Sequence, residues 1–339
     1  MPEPVETPAA TLVRLTNGYQ VSQAIHVAAE LRLADFIGAE PVAADEIAPR
    51  VGAHARSLYR LLRALSTVGI FRETNEKRFV GSPMSDLLRS DHPGSMWGWP
   101  AYIGRPLHRE IWGDLLHCVR TGEDAPHHLW AVDIYQYRAD KPAEIASFNA
   151  AMAAVSRAAA PAIIAAYDFS KFDRIVDVGG ANGALLAAIL SASPQSSGIV
   201  FDLPSVVQGA ASVIRAAGLD GRCEIVGGSY WDGVPAGGDA YIIKSVLMDT
   251  SDGEAATLLQ NVRSAMGPRG TLLVIERLIG APNEESVDAF YAITMLVASR
   301  GAVRRQDEWA AVFGAGGFKL VSVTPTTSRF YVLEGRPAA

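Results

Sequence analysis

The stretch of residues 174–190, RIVDVGGANGALLAAIL, constrains this chain more than any other. The β-branched Ile175, Val176 and Val178 suit a buried parallel strand. Gly179, Gly180 and Gly183 crowd a tight turn, and the apolar run from Ala184 to Leu190 reads as the helix that follows. Glycines in such a turn let the backbone approach a ligand closely. Strand, turn and helix together make the ligand-binding corner of a doubly wound α/β sheet.

A dinucleotide fingerprint G-x-G-x-x-G would need glycine at positions 179, 181 and 184, but the chain has Ala181 and Ala184. A nicotinamide oxidoreductase is therefore disfavoured. What stands here is Asp177 inside the strand end, then Gly179 and Gly183. About 20 residues on, a second strand over 197–201 ends in Asp202-Leu203-Pro204. A carboxylate at that place can accept hydrogen bonds from both ribose hydroxyls of an adenosine. Alone, the glycine turn is equally a plain tight turn; with Asp202 it points to an adenosyl ligand.

At 339 residues the chain has room for two domains, each with its own core. A hydrophobic content of 49% and a net charge of −6 describe a globular protein without the basic excess of a nucleic-acid binder. No apolar run approaches about 18 residues and no basic-then-apolar leader precedes the first helix, so neither a membrane span nor a signal peptide is expected. Cys118 and Cys223 lie far apart, form no metal-ligand cluster, and read as free thiols in a reducing cytoplasm.

Residues 1–10 are rich in Pro, Glu and Ala and are expected to lack structure. Helical periodicity follows over 12–33, 44–51 and 57–65, and two short strands over 69–73 and 77–80 flank a turn at Asn75. Three helices and a two-stranded wing make a winged helix. Such a module often binds DNA, but Arg56, Arg60 and Arg63 interleave with leucines of a face that should be buried. Ile25, Val27, Leu31, Leu33, Phe36 and Ile37 exceed what one small domain should bury, which predicts a homodimer. The middle of the chain is aromatic: Trp97, Trp99, Tyr102, Trp112, Trp130, Tyr135, Tyr137 and Phe148. Core packing accounts for most of these, and some are expected to line a pocket for a flat substrate. A helix over 150–167 leads into the glycine turn. Further strands are expected over 224–226, 239–246 and 270–276, helices over 253–266 and 307–316, and a terminal hairpin over 318–325 and 329–334.

Seven segments, AAELRLADFI, SLYRLLRALSTVGIF, VDVGGANG, FDLP, PAGGDAYIIKSVL, GTLLVIE and EWAAVFGAGGF, follow one another in an order and spacing that resembles the small-molecule O-methyltransferases, the family of plant phenolic and bacterial polyketide and phenazine enzymes. The resemblance covers residues 12–334. It implies an α/β, Rossmann-like methyltransferase sheet that binds S-adenosylmethionine, preceded by an α-helical winged-helix dimerisation domain. The expected boundaries are 1–100 for the dimerisation domain and 101–339 for the methyltransferase domain, with a helical substrate-pocket segment over 101–165. The implied partners are a small aromatic substrate and a second copy of the chain, with no nucleic acid, membrane or metal.

Carried over residue by residue, the resemblance assigns Asp177, Gly179 and Gly180 to the methionine side of S-adenosylmethionine, Asp202 to the ribose and Leu203 to the adenine face. Ser229 and Tyr230 take the adenine-edge positions where the family usually has Asp and Phe, and Lys244 and Ser245 lie beside the methionine carboxylate. Trp97, Trp112, Phe148, Met152 and Met295 are expected to face the substrate.

The departures concern catalysis. Where many members read His-Asp-Trp, with the histidine as general base, this chain reads Met248-Asp249-Thr250. Of the two acidic residues that flank that histidine, Glu276 is kept and Val303 replaces the other. Met248, Asp249 and Glu276 are the residues at the catalytic positions. No histidine follows His128, and His108, His127 and His128 are nominal substitutes against the alternative of ordinary surface histidines. The missing base resembles the anthracycline-type bacterial O-methyltransferases, whose relatives include hydroxylases and decarboxylases that bind S-adenosylmethionine. Methyl transfer to a hydroxyl by proximity and orientation is the expectation; N- or C-methylation and a non-methylating reaction are the alternatives.

Overall fold

The computed structural model describes residues 6–283 and 287–338. They form two compact units, Met1–Glu110 with Lys141–Ala158, and Ile111–Asp140 with Ala159–Ala339.

In the first unit, helices Pro8–Thr16, Gly18–Glu30 and Ala55–Thr67 surround a small sheet of β1 (Val42–Ala43), β2 (Arg72–Glu73) and β3 (Arg78–Val80), in the order β1-β3-β2. The wing thus has three strands rather than two. Val42 pairs with Phe79, and a two-residue strand is too short to show alternation in sequence. The stretch over 1–10 differs from expectation as well. Pro8 opens a helix, and the Thr7 hydroxyl accepts from the Ala10 amide at 3.3 Å; residues 1–5 lie outside the described residues.

Helix Ala55–Thr67 buries Leu58, Leu62 and Leu65 on one face and exposes Arg56, Arg60 and Arg63 on the other. Leu33, Ile37, Ile47, Phe71 and Phe79 complete this core. Leu33 and Ile37 are therefore interior, and Ile25, Leu31 and Phe36 pack against the same core. Exposed apolar side chains stand elsewhere in this unit, with Leu12, Val13, Leu15, Tyr19 and Val21 gathered on its first two helices.

The second unit carries β4 (Arg174–Val178), β5 (Ser197–Asp202), β6 (Cys223–Gly227), β7 (Ala240–Lys244), β8 (Thr271–Glu276), β9 (Phe318–Pro325) and β10 (Tyr331–Pro337). Their order is β6-β5-β4-β7-β8-β10-β9; the first five run parallel, and β10 and β9 close the edge antiparallel, as expected. The chain leaves β4 toward β5 on one side and returns to β7 on the other, so the topological switch falls at the carboxyl ends of β4 and β7. The near-continuous apolar strands are covered by helices such as Asp252–Ala265, whose Ser251 and Glu254 exchange the two hydrogen bonds of a capping box.

The alanine-rich helix spans Pro142–Ala166, starting eight positions before the expected 150, with proline at its first position. Among the described residues it is the one helix long and apolar enough to cross a membrane by length and composition. Ala151, Ala154, Ala159, Ala160 and Ile163 on it are buried, and Glu144 pairs with Arg105 at 2.6 Å.

Trp309 lies at the centre of the second core, fully buried and edge-on to Phe313, with no hydrogen-bond partner for its indole nitrogen. Truncating such a side chain leaves a large cavity, so Trp309→Ala is expected to cost about 3–5 kcal/mol in urea unfolding. Trp309→Phe keeps most of the packing and removes the orphaned N–H, so it should cost less than half as much. Equal losses in the two variants would rule out this account.

Candidate active site

Four titratable residues stand at the carboxyl ends of four neighbouring strands: Asp202 on β5, Asp177 on β4, Lys244 on β7 and Glu276 on β8. The parallel registers stagger them: Asp177 lies beside Val200 and Ile242, two residues before Asp202 and Lys244, and Lys244 lies beside Ile275, one residue before Glu276. The glycine turn sits in the middle of this row. Gly179 and Gly180 donate their amides to the Phe201 carbonyl at 2.8 and 3.1 Å, which folds the turn back over β5. Gly179 has φ +73°, and a Cβ there would come within 2.6 Å of Val246 Cγ2, so the position admits only glycine without rearrangement.

Asp202 is oriented by backbone. Its Oδ2 accepts from the Ala181 amide at 2.9 Å and its Oδ1 from the Leu203 amide at 2.7 Å. Burial raises its pKa, and those two amides pull it back. Leu203 beside it is half exposed. Ser229 accepts from the Trp231 amide at 3.2 Å, and Tyr230 packs edge-on against Trp231. Burial pushes the Tyr230 hydroxyl up to about 12, so it stays protonated.

Asp177 is almost sealed from solvent, and burial lifts its carboxyl to about 7 although Lys244 favours the charged form. Lys244 is drawn down to about 8 by burial, against the pull of Glu276 and Asp177. Its ammonium lies 3.4 Å from the Ser245 hydroxyl and 4.5 Å above the Phe330 ring. Glu276 is fully buried and pushed up to about 8, first by burial and then by Asp249. Its Oε1 accepts from the Met248 amide at 3.3 Å, and its Oε2 has no hydrogen-bond partner among the described residues. Burial thus moves Asp177, Lys244 and Glu276 each toward its neutral form.

The catalytic positions lie in the turn Leu247–Asp249 after β7, which a charged side chain far along the sequence holds in shape. The buried Arg304 donates to the Leu247 carbonyl at 2.8 Å, to the Thr250 carbonyl at 2.7 Å and to Asp252 at 2.7 Å. Gly301 presses on the same turn, where a Cβ would fall on the Met248 carbonyl. Met248, Met295 and Val303 form one buried apolar cluster with Ile279, Tyr291 and Ala292 packed against it. Asp249 faces the other way and accepts from the Tyr135 hydroxyl at 2.7 Å.

The expected substrate-facing residues divide between the units. In the first, Trp97 donates its indole N–H to the Ala29 carbonyl at 2.8 Å beneath the Arg32 guanidinium, and Phe148 packs edge-on to Tyr102; Met152 is half-buried. In the second, Trp112 packs with Ile111, Cys118, Ala125, Ile134 and Val297, and Met295 lies beside Met248. Of the nominal histidines, His127 pairs with Asp124 and His128 with Asp114, while His108 is buried against Tyr102 and so is not the surface residue of the bland alternative. Gly301, Arg304 and Phe330 carry no signal in the sequence, and Tyr135 stands out there only as one of the eight middle aromatics. Their roles come from contacts such as Tyr135 to Asp249, 114 residues apart, which leave no local pattern.

The Glu276 shift has a consequence for stability. With a folded value near 8 against 4.5 for an ordinary carboxyl, the folded protein keeps a proton that the unfolded chain releases. The stability linked to this group is full below about pH 4.5 and is lost as pH rises through about 8. Urea unfolding of the wild type and Glu276→Gln across that window should show the wild type losing ground to the variant as pH rises. Parallel curves would contradict it.

The family description of an O-methyltransferase domain matches residues 112–319, and that of an O-methyltransferase dimerisation domain matches residues 13–91. The chain is 37% identical over 329 residues to a phenazine O-methyltransferase of Lysobacter antibioticus, covering 97% of this chain and 96% of that one. It is 33% identical to an 8-amino-8-demethylriboflavin N,N-dimethyltransferase of Streptomyces davaonensis, covering 100% of this chain and 99% of that one. A solved O-methyltransferase from neocarzinostatin biosynthesis, in complex with S-adenosylmethionine and 2-hydroxy-5-methyl naphthoic acid, superposes with a TM-score of 0.76 at 32% identity and covers 93% of this chain and 95% of that one. The chain belongs to the S-adenosylmethionine-dependent O-methyltransferase family.

Proposed function

We propose that this chain transfers the methyl group of S-adenosylmethionine to a hydroxyl of a small aromatic secondary metabolite, by proximity and orientation and without a histidine base. The observation that carries the reading is the buried apolar cluster of Met248, Met295 and Val303; by the family resemblance, Met248 and Val303 take the positions of the histidine and one acidic residue of many members. A general base contributes typically ~10²–10⁴-fold, roughly 3–5 kcal/mol, whereas holding two reactants in line contributes roughly 7–11 kcal/mol. Positioning is the larger effect, so losing the base leaves the reaction feasible.

The strand-end residues fit an adenosyl group. Asp202 is a carboxylate already oriented by two amides and has lone pairs left for two hydroxyls. The turn at Gly179 is a cradle that a Cβ would distort, and Leu203 offers an exposed apolar face. When bound, S-adenosylmethionine supplies a methyl group on a sulfonium, an intrinsically strong donor. The chain's part is to hold it through Asp177, Gly179, Gly180, Asp202, Leu203, Ser229, Tyr230, Lys244 and Ser245. Trp97, Trp112, Phe148, Met152 and Met295 remain the proposed acceptor contacts.

An amine acceptor is the second reading, favoured by the likeness to a riboflavin N,N-dimethyltransferase. Incubation with methyl-labelled S-adenosylmethionine and panels of phenols and aryl amines separates the two. Labelled ether and S-adenosylhomocysteine support the first reading, and a product without a new methyl group defeats both. The exposed Leu12, Val13, Leu15, Tyr19 and Val21 together with the matched dimerisation domain support a homodimer. Light scattering at micromolar concentration should return a dimer mass. The two buried free cysteines suit a reducing compartment, in keeping with a cytoplasmic location.

Asp202→Ala removes the charge-assisted grip on the ribose. Calorimetry should show S-adenosylmethionine affinity falling roughly tenfold to a hundredfold, about 1.5–3 kcal/mol. Unchanged affinity would place the nucleotide elsewhere.

A further inference from the structure

Asp249 and Tyr135 form a hydrogen-bonded unit beside Met248, which stands at the position of the family's histidine. Tyr135 lies on the short helix Ile134–Arg138, whose first turn is capped by Asp133 through the Tyr135 and Gln136 amides at 2.8 Å each. That cap fixes the helix start, and with it the direction of the tyrosine. The side chain is half exposed along its ring, yet its hydroxyl ends on the Asp249 Oδ2 at 2.7 Å. Asp249 itself is held from behind by the turn that Arg304 and Gly301 clamp. One carboxylate oxygen is thus committed to a phenol, and among the described residues no hydrogen bond to the other accompanies it.

We propose that Tyr135 is a positioning residue for methyl transfer, gripping one oxygen of Asp249 so that the other accepts the hydrogen of the acceptor hydroxyl or amine. The proposal rests on the methyl-transfer reading and adds to it the residue pair that orients the acceptor and takes its proton. In the step, a lone pair of the acceptor atom forms the new bond to the methyl carbon. The carbon–sulfur bond breaks with its electrons left on sulfur. The acceptor's proton passes to the Asp249 carboxylate and from there to solvent, which balances charge and atoms without any other reagent.

The surroundings suit the task. Four groups face Asp249: Tyr135 and Arg138 from the short helix, Tyr230 from the loop after β6, and Glu276 from β8. Burial lifts the Asp249 carboxyl to about 6, while the Tyr135 hydrogen bond and the Arg138 charge hold it down. A carboxylate in that range is ionised near neutral pH and is a better proton acceptor than an ordinary one. Tyr135 is pushed well above the usual phenol range by burial and by the Asp249 charge, so it remains the donor.

The test pairs a titration with kinetics. Carbon-13 carboxyl NMR on the ligand-free protein, with Asp249→Asn to assign the signal, reads the Asp249 midpoint directly. Tyr135→Phe deletes one oxygen and keeps the ring, and should move that midpoint up by about half to one pH unit. The acid limb of the kcat/KM profile should move up with it, and kcat should fall about tenfold while S-adenosylmethionine affinity by calorimetry is unchanged. An Asp249 midpoint that stays put in Tyr135→Phe, or an acid limb that survives in Asp249→Asn, overturns the proposal. A wild-type enzyme that methylates no acceptor sinks the underlying reading and this role together, even where the NMR titration shifts as expected.

Discussion

The Arg304 guanidinium is the contact on which the catalytic side of the methyltransferase unit depends. A buried guanidinium is costly to desolvate unless its donors are satisfied. Here two donors are spent on the carbonyls of Leu247 and Thr250, at either end of the turn after β7, and a third on Asp252 at the start of the next helix. The turn cannot relax without stranding a charge. Because Met248 and Asp249 lie inside it, the placement of one in an apolar cluster and of the other on Tyr135 is fixed by a side chain 57 positions beyond Leu247.

On the nucleotide side the organising constraint is dielectric. Two carboxyls and one ammonium, Asp177, Glu276 and Lys244, sit in a dry row at the strand ends, and burial moves each toward its neutral form. Asp202, at the end of the row, keeps two backbone amides and a partly open face. A ligand carrying both a positive and a negative group matches such a row better than a polyanion does. This physical ground agrees with the glycine spacing, which does not suit a dinucleotide.

The parts legible in sequence are those in which function and local geometry coincide. The turn at Gly179 needs glycine because the backbone is left-handed there, and Asp202 follows at a distance set by one helix and one strand. The parallel sheet with its antiparallel edge could be read from apolar runs alone. What stayed hidden depends on contacts between distant segments. The two-residue β1 has no period to detect, and Leu33 and Ile37 look surplus until helix Ala55–Thr67 and the small sheet are folded over them. Tyr135, Gly301 and Arg304 act on residues tens to more than a hundred positions away, so each looks ordinary in its own neighbourhood.

The cluster of Met248, Met295 and Val303 has an implication for how such a site can diversify. Thioether side chains are unbranched and polarizable, and they reshape at little energetic expense where an imidazole between carboxylates would demand fixed hydrogen bonds. Under the proposed function a wall built this way would discriminate by volume and contour, not by proton inventory. Single exchanges among apolar residues could then retune it for a new ring system without disturbing Asp202 or the glycine turn, which contribute no residue to the cluster. Under the proposed function, recognition of the acceptor and retention of S-adenosylmethionine become separately adjustable, so a lineage can drift through chemically diverse scaffolds while its donor half stays constant.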